Sequence, residues 1–394
     1  MSAPPKILIL TGSYGNGHLE VTRSLIMELN KRGITNIVTS DLFYEAHPFL
    51  TNVTRKLYIK SFTKGQTIYG YLYYKSDFRL TDFRIDRMID RYGYMRISQL
   101  MKEHEFDLVI NTFPMQALPI YKQRTNPEIP FINVLTDFCL HTRWISDGID
   151  YFFVACDSLK KELLDTGINE QKITVSGIPI KEEFYFAEKI PDSEEKDSNK
   201  TKKLLISAGA HGVLSDLGKI IEELKIKEEL YITVVCGSNK VLFEELNQNY
   251  QFDENVKILG YVSNMADLMK QSDMMISKAG GISLSEALAI RIPLILTPAV
   301  PGQERDNALF FEKEGMAIVT KTENDIVPAV LSLLKQPLLA RSLMNQMEKH
   351  FHPHASELII DKALALIENP PIRKETKSIS KELKKRLKID RNIF

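Results

Sequence analysis

Short apolar runs alternate with helix-patterned stretches along this chain, and they do so twice, on either side of one charged stretch. Runs of this kind, bounded by turn residues, read as buried parallel strands, and the 3.6-residue repeats between them as covering helices. The first series lies at residues 6–12, 107–112, 131–136, 151–155 and 173–176. The second lies at 204–207, 231–236, 256–259, 274–277, 293–296 and 317–320. Residues 191–203 separate them; that stretch is too charged to bury a core and reads as a linker. The expected fold is therefore α/β, with two Rossmann-like domains, at 1–190 and 204–350. Residues 351–372 form a helical segment able to pack back on the first domain, and 373–394 a basic tail. Ligands of such sheets bind beyond the carboxyl ends of the strands, and a cleft between two such domains is an expected site.

Composition narrows the class. At 394 residues the chain is long enough for two cores. Lys+Arg and Asp+Glu balance at 51 each, so overall charge points to no particular partner. Cys139, Cys156 and Cys236 are widely spaced without metal-ligand spacing, as expected of reduced thiols in a cytosolic protein. The N-terminal apolar run is too short for a signal peptide. No run approaches the ~18–20 apolar residues of a membrane span, so a lipid substrate would have to be reached from the membrane surface.

The densest chemistry follows the strand at 274–277. Lys278-Ala279-Gly280-Gly281-Ile282-Ser283 reads as a turn into a helix. Its free backbone N–H groups and positive helix end suit a phosphate. Glu286, about one turn in, is placed to accept hydrogen bonds from a ribose. The strand at 293–296 runs into a loop with Gln303 and Glu304, an amide and a carboxylate suited to sugar hydroxyls. Each piece alone has a plainer reading: a tight turn, a dipole-complementing Glu, a solvated loop. Together they describe a nucleotide-sugar site.

Residues 278–286 with 301–304 resemble the donor half of the inverting GT-B glycosyltransferases. Within these the chain is similar to the diacylglycerol glycosyltransferases, which include plant galactolipid synthases and bacterial glucosyltransferases. The resemblance covers most of the chain and is strongest at 7–20, 133–144 and 256–307. It implies that Gly280, Gly281 and Ser283 meet the diphosphate of UDP-glucose, with Gly209 in the turn after the second domain's first strand, and that Lys278 belongs to the donor site. It implies that Glu286 holds the ribose, that Gln303 and Glu304 hold the hexose with Asn307, and that the loop carrying Tyr261 and Val262 reads uracil. No metal or other cofactor is implied.

The first strand runs into Gly12-Ser-Tyr-Gly-Asn-Gly-His18. The glycines let backbone approach a ligand closely. By itself this is a weak pattern, and His18 is as readily structural as functional. The resemblance places Gly12 beside the donor and His18 close to the acceptor hydroxyl or the donor diphosphate, with His18 the first candidate for general base. Asp137, just past a strand end, is the second. Asp137, His141 and Trp144, the only tryptophan, also read as a capping Asp beside a core Trp. The resemblance gives His141 and Trp144 an acceptor or lipid role.

Residues 55–96 interleave basic and aromatic side chains, Tyr71, Tyr73 and Tyr74 among them. Such a mixture suits a lipid–water interface with cations on lipid phosphates; an amphipathic helix pair with core aromatics fits as well. No RNA-binding motif accompanies it, and no nucleic-acid partner is expected. In the tail, Ile379, Leu383 and Leu387 form a narrow stripe on a basic helix, which can lie on anionic lipid or be a solvated end.

The expected function is transfer of glucose from UDP-glucose to diacylglycerol at the cytoplasmic face of the membrane, by a peripheral enzyme. The glycolipid would serve the membrane and anchor lipoteichoic acid. Two other classes share the donor features: a UDP-N-acetylglucosamine 2-epimerase, which should lack the basic-aromatic segment, and a UDP-sugar sensor without turnover.

Overall fold

In the computed structural model of the chain, the described residues are 4–13, 15–48, 51, 84–146, 148–185, 201–208 and 216–370; of 84–89 only the backbone is described. They divide into two units. One runs up to Ile180 and resumes at His352; the other is Lys181–Phe351.

The first unit holds strands β1 (Ile7–Leu10), β2 (Ile37–Ser40), β3 (Leu108–Asn111), β4 (Phe131–Val134), β5 (Tyr151–Val154) and β6 (Ile173–Val175). Its helices are α1 (Asn16–Lys31), α2 (Leu42–Ala46), α3 (Arg84–Glu103), α4 (Ala117–Thr125) and α5 (Asp157–Asp165). The sheet is parallel, in the order β2-β1-β3-β4-β5-β6. β1, β3, β4 and β5 are buried along their whole length, which is why they read as mainly apolar runs. β2 was not anticipated. It is an edge strand and mostly half-exposed, so it carries no apolar run.

The second unit holds β7 (Lys202–Ser207), β8 (Leu230–Val235), β9 (Val256–Leu259), β10 (Met274–Ser277), β11 (Leu294–Leu296) and β12 (Ile318–Val319). Its helices are α6 (Leu217–Lys227), α7 (Lys240–Tyr250), α8 (Met265–Lys270), α9 (Gly281–Ile290), α10 (Gln303–Lys313), α11 (Ile326–Lys335) and α12 (Pro337–His350). This sheet is also parallel, β12-β11-β10-β7-β8-β9. The strand order reverses between β1 and β3 in one unit and between β7 and β10 in the other, the switch points where open α/β sheets bind ligands.

Lys202 and Lys203, assigned to the linker from their charge, belong to β7. They pair with Leu230 and Tyr231 of β8, and the Lys203 N–H donates to Asp273 Oδ2 at 2.9 Å. Backbone pairing holds them although their side chains are only half-buried. The last helix, α13 (Ala355–Glu368), packs on α1 of the first unit, burying Ala355, Ile359, Ile360 and Ala363. Arg32, at the C-cap of α1, pairs with Glu28 (2.8 Å) and with Asp361, and donates to the Glu357 carbonyl at 3.2 Å. The chain enters this helix beside Gly177, whose φ is +76°; an added Cβ there would stand 3.0 Å from the His352 carbonyl oxygen. No single described helix is long and apolar enough to cross a membrane.

Tyr71, Tyr73 and Tyr74, the rest of residues 55–83, Gly209, linker residues 191–200 and the tail 373–394 lie outside the described residues. Where the basic-aromatic segment is described it is a packed helix. Arg96 pairs with Glu45 at 2.8 Å, and the Tyr94 ring meets Tyr121 at 6.2 Å and the Arg124 guanidinium at 4.7 Å.

Candidate active-site residues in the two units

In the first unit, the loops after β1, β2, β3 and β4 converge on His18. The glycine-rich loop after β1 is braced from β2: the Ser13 N–H donates to Asp41 Oδ2 at 2.8 Å, while Oδ1 caps α2 through Phe43 and Tyr44. α1 then starts without a side-chain cap, and His18 falls in its first turn. His18 Nδ1 lies 2.7 Å from the Thr112 carbonyl oxygen, past β3, and 3.1 Å from Thr136 Oγ1, past β4. A carbonyl oxygen only accepts, so Nδ1 carries the proton and Nε2 of the neutral ring keeps its lone pair. The Phe113 ring fixes the plane edge-on at 4.9 Å. Loss of hydration pushes the imidazole below its ordinary pKa of 6.5, against the attraction of Asp137, the Thr112 hydrogen bond and the attraction of Asp41. His18 is thus held neutral with a basic nitrogen. Asp137 is 5% exposed.

Several expectations change here. Gly12 lies close against Phe113: an added Cβ would stand 2.4 Å from the ring. Trp144 is 1% exposed and part of the core, so it presents no surface to lipid. His141 is 9% exposed and its Nδ1 accepts the Arg143 N–H at 3.1 Å, capping the turn Thr142–Trp144. The flanking sequence could not separate these roles, because a capping His and a ligand-binding His occupy the same loop position.

The sequence reading missed Asp41, Thr112, Thr136, Asn111 and Asn133. Asn111 Nδ2 donates to Asn133 Oδ1 (2.8 Å), and Asn133 Nδ2 to the Trp144 carbonyl (3.0 Å). The Phe113 N–H donates to Asn111 Oδ1 at 3.3 Å. This buried ladder ties the loops after β3 and β4 to each other. Its signal was available: one Asn inside each of two fully buried strands demands polar partners.

In the second unit, β10 ends at Ser277 and Gly280 caps α9 with extended backbone and no side-chain hydrogen bond. The first N–H groups of α9, from Gly281 to Ser283, therefore have no intrahelical acceptor. α9 is apolar around most of its circumference and largely buried, so its positive end is poorly screened. Glu286 lies half-buried on it. Gln303 and Glu304 are not in a loop. Gly302, at φ +118°, lets the chain turn straight into α10, whose first turn they form together with Asp306. An acidic first turn suits the helix dipole. Lys278 Nζ donates to Glu304 Oε1 at 2.6 Å. Asn307 is 0% exposed and its Nδ2 donates to the Ala279 carbonyl at 3.1 Å. It therefore braces the turn before α9 and is not open to a hexose. Tyr261, after β9, is 74% exposed, with Val262 half-buried beside it.

Two doubly wound units with these groups beyond their strand ends have the fold of the GT-B glycosyltransferases. Residues 18–180 match the monogalactosyldiacylglycerol (MGDG) synthase family, and 203–359 the glycosyltransferase family 28 C-terminal domain. A processive diacylglycerol beta-glucosyltransferase of Bacillus licheniformis is 38% identical over 364 residues, 91% of this chain and 94% of that protein. One from Bacillus cereus is 38% identical over 368 residues, 92% and 94% of the two chains. The chain belongs to this diacylglycerol glycosyltransferase family. Among solved structures, Acinetobacter baumannii MurG matches with TM-score 0.60 at 14% identity, over 92% of this chain and 100% of that one. The Staphylococcus aureus MnaA–UDP structure matches with TM-score 0.61 at 13% identity, over 95% and 99%. At such identities these two likenesses speak for the fold alone.

Proposed function

We propose that this chain moves glucose from UDP-glucose to the free hydroxyl of 1,2-diacylglycerol with inversion, and then extends the β-glucoside to diglucosyl and longer lipids. The observation that carries this is the 38% identity, across both units, to proteins named processive diacylglycerol beta-glucosyltransferase. His18 Nε2 takes the proton of the acceptor hydroxyl. The buried Asp137 carboxylate stabilises the imidazolium that results. The unbonded N–H groups at the start of α9 receive the negative charge that develops on the departing UDP, so no metal is needed for that role. Glu286 holds the ribose, the Tyr261–Val262 loop reads uracil, and Gln303 with Glu304 orients the hexose for in-line attack. The product would be a membrane glycolipid and the anchor of lipoteichoic acid.

Incubating the chain with UDP-glucose or UDP-galactose and dioleoylglycerol, then separating lipids by thin-layer chromatography, tests the reading. A ladder of glycolipids from UDP-glucose is expected. An altered UDP-sugar without new lipid would select an epimerase, and nucleotide binding alone a sensor.

The acceptor lies in a bilayer, so the protein works as a peripheral enzyme at the cytoplasmic face. Basic residues near anionic lipid contribute about 1 kcal/mol each within a Debye length. Liposome flotation should therefore give binding to anionic vesicles that high salt releases. Equal binding to neutral vesicles would rule out the electrostatic part.

A further inference from the structure

Resting on the donor role given above to Glu304, we propose that Lys278 is the positioning residue that sets which oxygen of Glu304 meets the hexose. Lys278 Nζ binds Oε1 at 2.6 Å, and the carboxylate is well buried, its side chain 12% exposed. Among the described residues, Lys278 is the partner of that carboxylate, so Oε2 is left to accept from a sugar hydroxyl. Lys278 itself lies two residues before Gly280, the cap of α9. The ammonium therefore bridges the first turn of α10 and the end of α9 where the diphosphate is proposed to bind. A glutamate carboxylate on its flexible two-methylene stem has several rotamers. One strong ion pair on a single oxygen selects among them. Asn307, pulling the Ala279 carbonyl toward α10, keeps the two helix ends at the distance the pair requires.

The test uses the full chain with UDP-glucose and dioleoylglycerol, and calorimetry with UDP and UDP-glucose separately. Lys278→Met should lower kcat/KM for UDP-glucose about tenfold or more, the loss expected for one charge-assisted hydrogen bond. UDP affinity should fall much less than UDP-glucose affinity. Lys278→Arg, which keeps charge and donor, should restore most of the loss. In a Glu304→Gln background, Lys278→Met should cost little further, because no carboxylate remains to be oriented. Additive losses in that cycle, or equal losses for UDP and UDP-glucose, would overturn the proposal and leave Lys278 a phosphate ligand. Should Lys278→Met fail to fold, Lys278→Gln and Lys278→Arg decide: Arg active and Gln impaired supports the proposal, equal activity overturns it. A wild-type chain that binds UDP-glucose without making glycolipid would defeat the transfer reading instead. The ratio of UDP-glucose to UDP affinity across the same variants would still judge Lys278.

Discussion

Replacing His18 with alanine is expected to lower kcat by about 10²- to 10⁴-fold, the range for a lost general base, while UDP affinity is retained. The expectation follows from geometry. The Thr112 carbonyl and Thr136 hydroxyl occupy Nδ1 and leave Nε2 with its lone pair. The sign of the pH dependence follows from burial. Only the neutral ring is a base, and loss of hydration holds the imidazole below its ordinary 6.5. The neutral form therefore persists into mildly acidic solution. The acid limb of kcat/KM should lie below pH 6.5, with activity lost as pH falls through the depressed pKa. Asp137 attracts the charged ring and opposes that depression, so Asp137→Asn should move the limb further toward acid. A limb that moves toward neutrality instead, or a fully active His18→Ala, would end the assignment of His18 as base and leave Asp137 as the candidate.

Glu304→Ala should cut turnover with UDP-glucose by about ten- to a hundredfold, the value of one hydrogen bond to a charged group. UDP affinity should hold or tighten. The asymmetry arises because Glu304 lies in the first turn of α10, paired to Lys278 next to the uncapped end of α9. Removing the carboxylate takes away the proposed sugar contact and leaves a lysine ammonium beside the proposed diphosphate position. Steady-state kinetics with UDP-glucose and calorimetry with UDP separate the two effects. Near-normal kcat/KM in the variant would remove Glu304 from the sugar contacts.

Much of the fold was legible along the chain because strands buried on both faces are mainly apolar. That is why residues 7–10, 131–134 and 274–277 were readable as strands, and why β2, a half-exposed edge, was not. The turn into α9 was legible for a related reason. A buried strand followed by Gly280-Gly281 and an apolar helix leaves N–H groups with few other uses. Roles that depend on a side chain's partner were another matter. Trp144, His141 and Asn307 carry the residue types of a binding site, yet each is turned inward, to the core, to the Arg143 N–H and to the Ala279 carbonyl.

The sequence alone determined that this chain builds two parallel sheets with helix N-termini and polar groups beyond their strand ends, because hydrophobic period and glycine placement are local properties. Only the tertiary structure decided which nitrogen of His18 is basic, that Asp41 and the Asn111–Asn133 ladder brace its surroundings, and that Lys278 holds Glu304. Those contacts join residues from 22 to 94 positions apart, or from separate helix ends. A hydrogen bond forms where chain crossings bring donor and acceptor within about 3 Å, and no local pattern encodes that distance.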